Sequence, residues 1–335
     1  MKINKRVYGV IGISSIMANW NADFSGYPKS IGDGSIFGSD KALKYPMKKM
    51  CDNEGQKVFY IKTMKISTKD EKSSLIPRTL KERYETLFNV EDLKKCKDVK
   101  EILKNLFSAI DVKNFGATFA EAGSNISITG AVQIGQGFNK YNNTNVEEQQ
   151  ILSPFRDPKE KKVKNNISEN EGGQQDLSSE EDEKKRDAKN STLGTKIVSD
   201  EAHYFYPFVI NPLAYKEFEE LGVTEGYTEE DYQKFRKVAL VSATAFATNS
   251  KEGCENEFAI FIETELDTYL PNLSEYIVFE KGAEKNTIKL QCSELLSELQ
   301  DRIKKIDIYY NPYTTDLEGI SENITLYNIC TQKEV

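Results

Sequence analysis

The sequence contains a single histidine, His203, among its 335 residues. A histidine-based zinc site is therefore nearly excluded, and a Ser-His-Asp or Cys-His arrangement would have to use this one residue. His203 stands in an aromatic run beside Tyr204 and Phe205. We therefore interpret it as a core or surface histidine rather than as a catalytic group.

The sequence also lacks paired cysteines, long apolar runs and phosphate-binding signatures. There are five widely spaced cysteines and no C-x-x-C motif, which is typical of reduced, intracellular packing thiols. No apolar stretch approaches the ~20 residues of a membrane span, and the run at 7–13 is broken by glycines, unlike a signal peptide. Because neither G-x-x-x-x-G-K-[ST] nor G-x-G-x-x-G occurs, nucleotide cofactors are not expected. We expect a cytoplasmic protein with no membrane, metal or cofactor.

Charge is distributed unevenly along the chain. Residues 1–65 carry eleven Lys and Arg against five Asp and Glu, a net charge of +6, whereas the whole chain carries −8. The remainder therefore carries −14. Such asymmetry indicates an amino-terminal part that binds a polyanion through a local basic groove.

The stretch 19–49 is the most informative part of the sequence. Glycines at 32, 34 and 38 allow close approach of the backbone to a ligand, and Ser39 is a good N-cap for a helix that opens at residue 40. Lys41 and Lys44 share one face of that helix. Pro46 is expected to kink or split the helix, which separates Lys48 from that face. A basic surface helix that binds nothing would show the same pattern.

Other candidate contacts are weaker. Asn19 and Asn21 could donate to phosphate or ribose hydroxyls, or could cap local turns. Lys29 follows a Gly-Tyr-Pro turn and could meet phosphate or only solvent, and Arg78 could form a loop ion pair instead. Phe155 stands in a Pro-flanked arm, where it could wedge between bases or pack on its own domain.

Two groups of carboxylates could bind Mg²⁺. Asp23, Asp33 and Asp40 lie in the glycine-rich region, where Asp33-Gly34 is also an ordinary turn dipeptide. A second group alternates along a predicted strand and is Glu263, Glu265 and Asp267. We interpret the second group as a solvated strand face rather than as a metal site.

The apolar patterns predict an α+β sandwich rather than a regular series of parallel βαβ units. Strands are expected near 7–13, 57–66, 111–120, 126–134, 203–211, 258–262 and 324–329. Helices are expected within 68–107, after a capping box of Thr228 and Asp231, and over 295–306. Residues 158–190 hold eight basic and nine acidic residues with almost no apolar ones, and are predicted to be disordered.

Several blocks together resemble the backbone ("Cas-seven") subunits of type I CRISPR interference complexes, closest to the type I-B branch. They are R-V-Y-G-V-I-G-I, A-N-W-N-A-D-F-S-G-Y-P-K, G-S-I-F-G-S-D-K-A-L-K-Y-P, D-V-K-N-F-G-A-T-F-A, I-T-G-A-V-Q-I-G, Y-F-Y-P-F-V-I-N and A-T-N-S-K-E-G. The resemblance covers most of residues 5–265, and its amino-terminal blocks are the most specific.

The resemblance implies an RRM-like (ferredoxin-like) palm with helical finger insertions and a β-hairpin thumb. By position, the palm begins at 1–66, the fingers are 67–110, more palm strands are 111–145, the thumb is 146–200 and the rest of the palm is 201–335. The implied RNA-binding residues in the palm are Asn19, Asn21, Lys29, Ser39, Lys41, Lys44 and Lys48. Arg78, Ile151 and Phe155 are weaker candidates in the fingers and thumb.

The implied function is a non-catalytic subunit that forms a filament along CRISPR guide RNA and presents its bases to target DNA. Its partners would be guide RNA, the target strand, further copies of itself, and the other Cascade subunits: the guide 5′-end cap subunit, the large subunit and the guide-processing endonuclease. One alternative is a type III-like subunit that cuts bound target RNA with Asp33 or Asp23 and Mg²⁺. Another is a stand-alone enzyme whose basic amino terminus is accidental.

Overall fold

The computed structural model describes residues 1–69, 72–153, 192–321 and 323–335. The helices are α1 Asp40–Asn53, α2 Leu80–Phe88, α3 Val99–Phe107, α4 Ile110–Phe115, α5 Lys216–Glu220, α6 Glu229–Val241 and α7 Ser293–Glu298. Short 3₁₀ segments lie at Leu93–Lys95, Pro212–Tyr215, Leu273–Tyr276 and Gln300–Arg302.

Strands supply most of the framework. The first eight are β1 Arg6–Ala18, β2 Phe37–Gly38, β3 Met64–Lys69, β4 Lys72–Pro77, β5 Gly116–Glu121, β6 Ser124–Thr129, β7 Val132–Ile134 and β8 Gly137–Asn139. The others are β9 Val146–Ser153, β10 Thr192–Ile210, β11 Cys254–Thr264, β12 Ile277–Glu280, β13 Asn286–Leu290, β14 Ile303–Tyr310, β15 Thr315–Glu318 and β16 Ile324–Asn328.

The central sheet has the strand order β16-β14-β11-β1-β10-β8-β2, and β7 and β9 also pair with β10. Strand β1 lies between β10 and β11 and is antiparallel to both, so that Ile11 faces Tyr206 on one side and Ala259 on the other. Helix α1 follows β1, and α6 connects β10 to β11. The fold is therefore mixed α+β, as the alternation of patterns predicts.

Both faces of the central sheet are buried. Val7, Ile11 and Ile13 join the apolar core that contains residues of α1 and α6, whereas Tyr8 and Val10 join a second core. The second core includes Ile288 of a small sheet with the order β12-β13-β15, which we call the cap sheet. Burial on two sides explains why β1 reads as an uninterrupted apolar run rather than an alternating one.

The sequence patterns identified several elements correctly. The strand at 7–13 is the middle of β1, the predicted strand at 324–329 is β16, and 203–211 falls within β10. Helix α6 begins with the predicted capping box, because Thr228 Oγ1 accepts from Asp231 N at 3.2 Å and the Asp231 carboxylate accepts from Thr228 N at 2.9 Å.

Other expectations were wrong, and the causes are tertiary. Residues 57–63 form no strand, because the backbone amides of Phe59 and Tyr60 donate to the buried Asp111 carboxylate, both at 2.7 Å. The predicted strand at 111–120 begins as helix α4 and becomes β5 only at Gly116, whose φ of +82° ends the helix.

Two predicted helical stretches also contain strands. Met64–Lys69 and Lys72–Pro77 pair as the antiparallel strands β3 and β4 before helices α2 and α3 begin. The predicted helix over 295–306 stops at Glu298, because residues from Ile303 onward pair with β11 as strand β14. The predicted disordered segment 158–190 lies outside the described residues.

Candidate nucleic-acid interface

The loop at 19–38, which we call the palm loop, is fastened at its start by Asn19. The Asn19 side chain is buried and its Nδ2 donates to the carbonyl oxygens of Gly26 at 2.8 Å and Ile197 at 3.2 Å. Because Ile197 belongs to β10, this amide joins the palm loop to a distant strand. Asn19 thus positions the loop. The amide donors of its side chain are already bound to carbonyl oxygens of the protein.

Asn21 and Ser39 organise the start of helix α1. The Ser39 hydroxyl accepts from Ala42 N at 3.3 Å, as expected of an N-cap, and the Ser39 backbone N–H donates to Asn21 Oδ1 at 2.7 Å. Asn21 therefore holds the loop against the helix start, which is the local capping role that the sequence left open.

Asp40 supplies a negative charge at the amino terminus of α1. Its carboxylate accepts from Lys44 Nζ at 2.8 Å. Burial raises the pKa of Asp40, but Lys44 and the Lys41 backbone amide outweigh that effect, so the pKa lies below its usual value. The carboxylate of Asp40 therefore already lies at the amino-terminal end of α1, where the helix dipole attracts anions.

Helix α1 continues through the buried Pro46 without interruption, so the expected split of the helix is wrong. Lys41, Lys44 and Lys48 consequently share a face, at intervals of three and four residues. Pro46 is buried within the helix, although its ring removes one backbone hydrogen-bond donor.

The predicted lysines fall into two groups. Lys29 and Lys41 are exposed, and neither forms an ion pair with any described residue, although Lys29 Nζ lies 5.6 Å from the centroid of the Phe37 ring. Lys44 is half-buried, paired with Asp40 and 5.2 Å from the Phe115 ring centroid. Lys48 Nζ donates to the Tyr60 carbonyl at 2.8 Å, and burial lowers its pKa.

Arg78 lies beside this lysine face. Its backbone N–H donates to the Thr63 carbonyl at 2.9 Å, and its half-exposed side chain lines a surface pocket together with Tyr60 and Arg83. Lys48 binds the carbonyl of the same Tyr60, so Tyr60 is a neighbour of both Arg78 and helix α1. In the described part of the chain, Arg78 has no carboxylate partner.

The predicted thumb region contains a long antiparallel pair. Strand β9 runs beside the first residues of β10, from Val146 opposite Ser199 to Ser153 opposite Thr192, and we call this pair the thumb hairpin. Ile151 is 44% exposed on β9. Phe155 lies outside the described residues. The Tyr27 hydroxyl donates to Glu148 of β9, which connects the palm loop to the thumb hairpin.

The carboxylates proposed as Mg²⁺ ligands are used locally. Asp23 Oδ1 accepts from the backbone N–H groups of Ser25 and Tyr27 at 2.8 and 3.0 Å, and Asp33 Oδ1 accepts from Ser35 N at 2.8 Å. These turn hydrogen bonds lower the pKa of Asp33. The described residues contain no group of three or more His, Cys, Asp or Glu side chains arranged to hold a metal ion.

The three carboxylates of the second acidic group each pair with a different cationic side chain. Glu263 is buried at the end of β11 and accepts from Lys5 Nζ at 3.0 Å. Glu265 and Asp267 lie beyond the strand and pair with Lys304 and Arg302. They do not form the single strand face that the alternation predicted.

His203 is a buried structural histidine, as its aromatic surroundings predict. Nδ1 lies 2.8 Å from Glu257, Nε2 lies 3.0 Å from Glu201, and the ring stacks on Phe279 of the cap sheet at 3.7 Å. Burial lowers the pKa of this imidazole, but the two carboxylates outweigh it and the net shift is upward.

Sequence reasoning missed the loop at 244–253, which enters β11. Phe246 packs edge-on against Tyr45 of α1 at 5.5 Å, and Lys251 Nζ donates to the Asn19 carbonyl at 2.7 Å. The loop therefore lies between the start of the palm loop and the lysine helix. The unusual ATNSKEG block was its only signal in the sequence.

The cap sheet covers part of one face of the central sheet. Tyr8, Phe205 and Phe258 face the cap sheet and are buried in the second core. Bases therefore cannot stack on these three rings as they do on open RNA-binding sheets.

Each of the five cysteines is an unpaired thiol, and Cys51, Cys254 and Cys292 are buried. Across the ranges that the model describes, no helix combines the length and the apolar character of a membrane span.

Two comparisons with known proteins found similarities, one in sequence and one in fold. A model of the family "CRISPR-associated protein Cas7" matches residues 5–301. The fold is similar to a chain in a solved structure of a "CRISPR RNA-guided surveillance complex, pre-nicking", with a TM-score of 0.50 and 14% identity over 96% of each chain. No curated protein matches the chain in sequence.

Proposed function

The chain belongs to the CRISPR-associated Cas7 family, and we propose that it is a guide-RNA-binding backbone subunit of a type I Cascade complex of the I-B-like branch. The single observation that carries this proposal is the shared surface of the palm loop and helix α1. There, Asn19, Asn21 and Ser39 fix the backbone, and Lys29 and Lys41 project into solvent.

The strand order supports an RRM-like palm. Strands β11-β1-β10-β8 lie side by side, with α1 between β1 and β8 in the chain and α6 between β10 and β11. The same order is expected of a split βαβ fold, which supports the proposal. In this proposal, strands β3 and β4 and helices α2 and α3 are the fingers, and the thumb hairpin is the thumb.

We propose that the palm holds the guide without reading its sequence. Lys29, Lys41 and Arg78 would contact phosphates and ribose. Lys44 and Lys48 would keep their hydrogen bonds within the protein and would add positive charge to the same region. A strand held in short ordered segments loses less entropy when it pairs with target DNA. Ile151 and Phe155 remain our candidates for the thumb residues that displace a base at intervals.

The proposed partners are the guide RNA, the target DNA strand paired to it, further copies of this chain along the filament, and the other Cascade subunits. Such an assembly acts in the cytoplasm.

RNA binding by the purified protein tests this function. We expect a single-stranded RNA of guide length to bind with little dependence on sequence, and with an affinity that falls steeply as salt rises. A protein that purifies as a monomer and binds no RNA at low salt would overturn the proposal.

We further propose that the subunit is non-catalytic. The carboxylates of Asp33 and Asp23 are already bound by backbone amides of their own turns, which supports this view. The assembled complex should leave complementary RNA intact in Mg²⁺. Regularly spaced cuts that disappear in Asp33→Ala would instead establish a type III-like nuclease.

A further inference from the structure

Lys251 fastens the first residues of the palm loop. Its Nζ donates to the carbonyl of Asn19 at 2.7 Å and to that of Trp20, and it lies 5.1 Å from the centroid of the Trp20 ring. The backbone reinforces this junction, because Asn19 N donates to the Ser250 carbonyl at 3.0 Å. Lys251 therefore lies next to the first residues of the palm loop, just after the end of β1.

The Lys251 side chain is half-buried, and its ammonium pairs with no carboxylate of the described residues. None of its hydrogen bonds in the described part of the chain goes to an acidic side chain, and burial lowers its pKa to about 8. A half-buried cation without a carboxylate partner costs stability, and shifted lysines of this kind concentrate at functional sites.

The buried titratable groups near Lys251 are a thiol and two phenols. Cys254 faces it from its own segment, and burial raises the pKa of that thiol. On β10, Tyr206 binds the indole of Trp20 and Tyr204 lies beside Cys254, and burial raises the pKa of both hydroxyls. The acidic residues of the segment, Glu252 and Glu255, are exposed. From α1, Tyr45 contacts the loop through the Phe246 ring.

We infer that Lys251 is a positioning residue for RNA, which fixes the palm loop through an ammonium that a bound phosphate strand stabilises. This inference rests on the proposed function. Polyanion binding favours the charged form of a nearby lysine, so RNA should raise the pKa of Lys251 and take up protons. By the same linkage, RNA affinity should fall as the pH rises through 8.

The pH dependence of RNA affinity tests this role with two variants. Between pH 7 and pH 9, we expect the dissociation constant of the parent protein to rise about three- to tenfold, as the loss of one screened charge near a phosphate predicts. Lys251→Arg keeps the charge, and its affinity should fall less steeply with pH than that of the parent. Lys251→Gln keeps a donor without the charge, so it should bind more weakly at pH 7 and also show a shallower pH dependence than the parent.

Other groups that titrate in this range are common to all three proteins, so the difference between profiles isolates Lys251. An Arg variant whose affinity declines as steeply as that of the parent would overturn the inference. A parent protein that binds RNA equally at pH 7 and pH 9 would overturn it too, while leaving the proposed function intact.

Calorimetry of the parent protein avoids any dependence on the folding of variants. RNA is titrated at pH 8 in two buffers of different ionisation enthalpy, and the difference in heat gives the protons taken up. We expect a measurable fraction of one proton per bound subunit. Equal heats reject the role of Lys251, whereas a parent that binds no RNA in either buffer rejects the proposed function itself.

Discussion

Trp20 Nε1 donates a hydrogen bond of 2.5 Å to the hydroxyl of Tyr206, and this bond joins the start of the palm loop to the centre of β10. Both side chains are fully buried. Gly38, which ends the palm loop, lies against the same two rings, so that a Cβ at this position would overlap the Tyr206 hydroxyl and lie 2.8 Å from the Trp20 ring. The two ends of the palm loop therefore meet at one aromatic contact.

This contact predicts that Gly38→Ala destabilises the protein. Because the added methyl group meets two packed rings, we expect a loss of about 1–3 kcal/mol in the free energy of unfolding, measured by urea denaturation. Gly32→Ala is the matched control, since a Cβ there meets nothing within 4 Å. Equal midpoints for the two variants would show that the junction tolerates the extra group.

Removing the two exposed lysines should weaken RNA binding uniformly across sequences. If Lys29 and Lys41 each contact one phosphate, Lys29→Ala with Lys41→Ala should reduce the slope of log affinity against log salt by about 1.4. Filter binding or fluorescence anisotropy over a salt series measures this slope.

The matched control for this pair is Lys285→Ala with Lys289→Ala, which removes the same charge from the cap sheet. There Lys285 pairs with Asp316, and Lys289 pairs with Glu280 and Glu318. An unchanged slope in the Lys29 and Lys41 variant, or an equal change in the control, would show that RNA lies elsewhere.

Lys48 should behave differently from Lys29 and Lys41. Because its ammonium is tied to the Tyr60 carbonyl and partly buried, Lys48→Met should cost about 1–2 kcal/mol of unfolding free energy. The salt slope of RNA binding should stay close to that of the parent. Lys49→Met, which removes a surface pair with Asp52, should change stability by less than about 0.5 kcal/mol. A large drop in salt slope for Lys48→Met would place this lysine on the RNA instead.

His203 predicts a pH dependence of stability. Its folded pKa is raised, so its contribution is fully present below the unfolded value of about 6.5 and is lost as the pH rises through the folded pKa. Denaturant unfolding from pH 6 to pH 9 should show this decline, and His203→Gln should remove it.

Because His203 is the sole histidine, its ring signal in a proton NMR titration reports the pKa directly. A titration midpoint at or below about 6.5 would contradict the inference that Glu257 and Glu201 raise the pKa of His203 more than burial lowers it.

The sequence predicted elements whose determinants are local. Ser39 caps α1 and Thr228 caps α6 through hydrogen bonds that span three residues, so both signals stand in the sequence itself. It misassigned 57–63 and 111–115, because the buried Asp111 carboxylate binds the amides of Phe59 and Tyr60 more than fifty residues away. No local pattern records such a contact.

The features of the candidate site can also be separated into those that local sequence predicts and those that depend on tertiary contacts. The sequence by itself determined the cationic amino-terminal region, the glycine-containing loop and the capped helix that follows it, because charge, backbone freedom and capping depend on neighbouring residues. Only the tertiary structure decided that Lys29 and Lys41 face solvent while Asn19 and Lys48 are engaged. Their partners, Ile197 and Tyr60, come from other segments of the chain. A side chain's availability to a ligand depends on what the fold places beside it, and that is a property of packing rather than of local sequence.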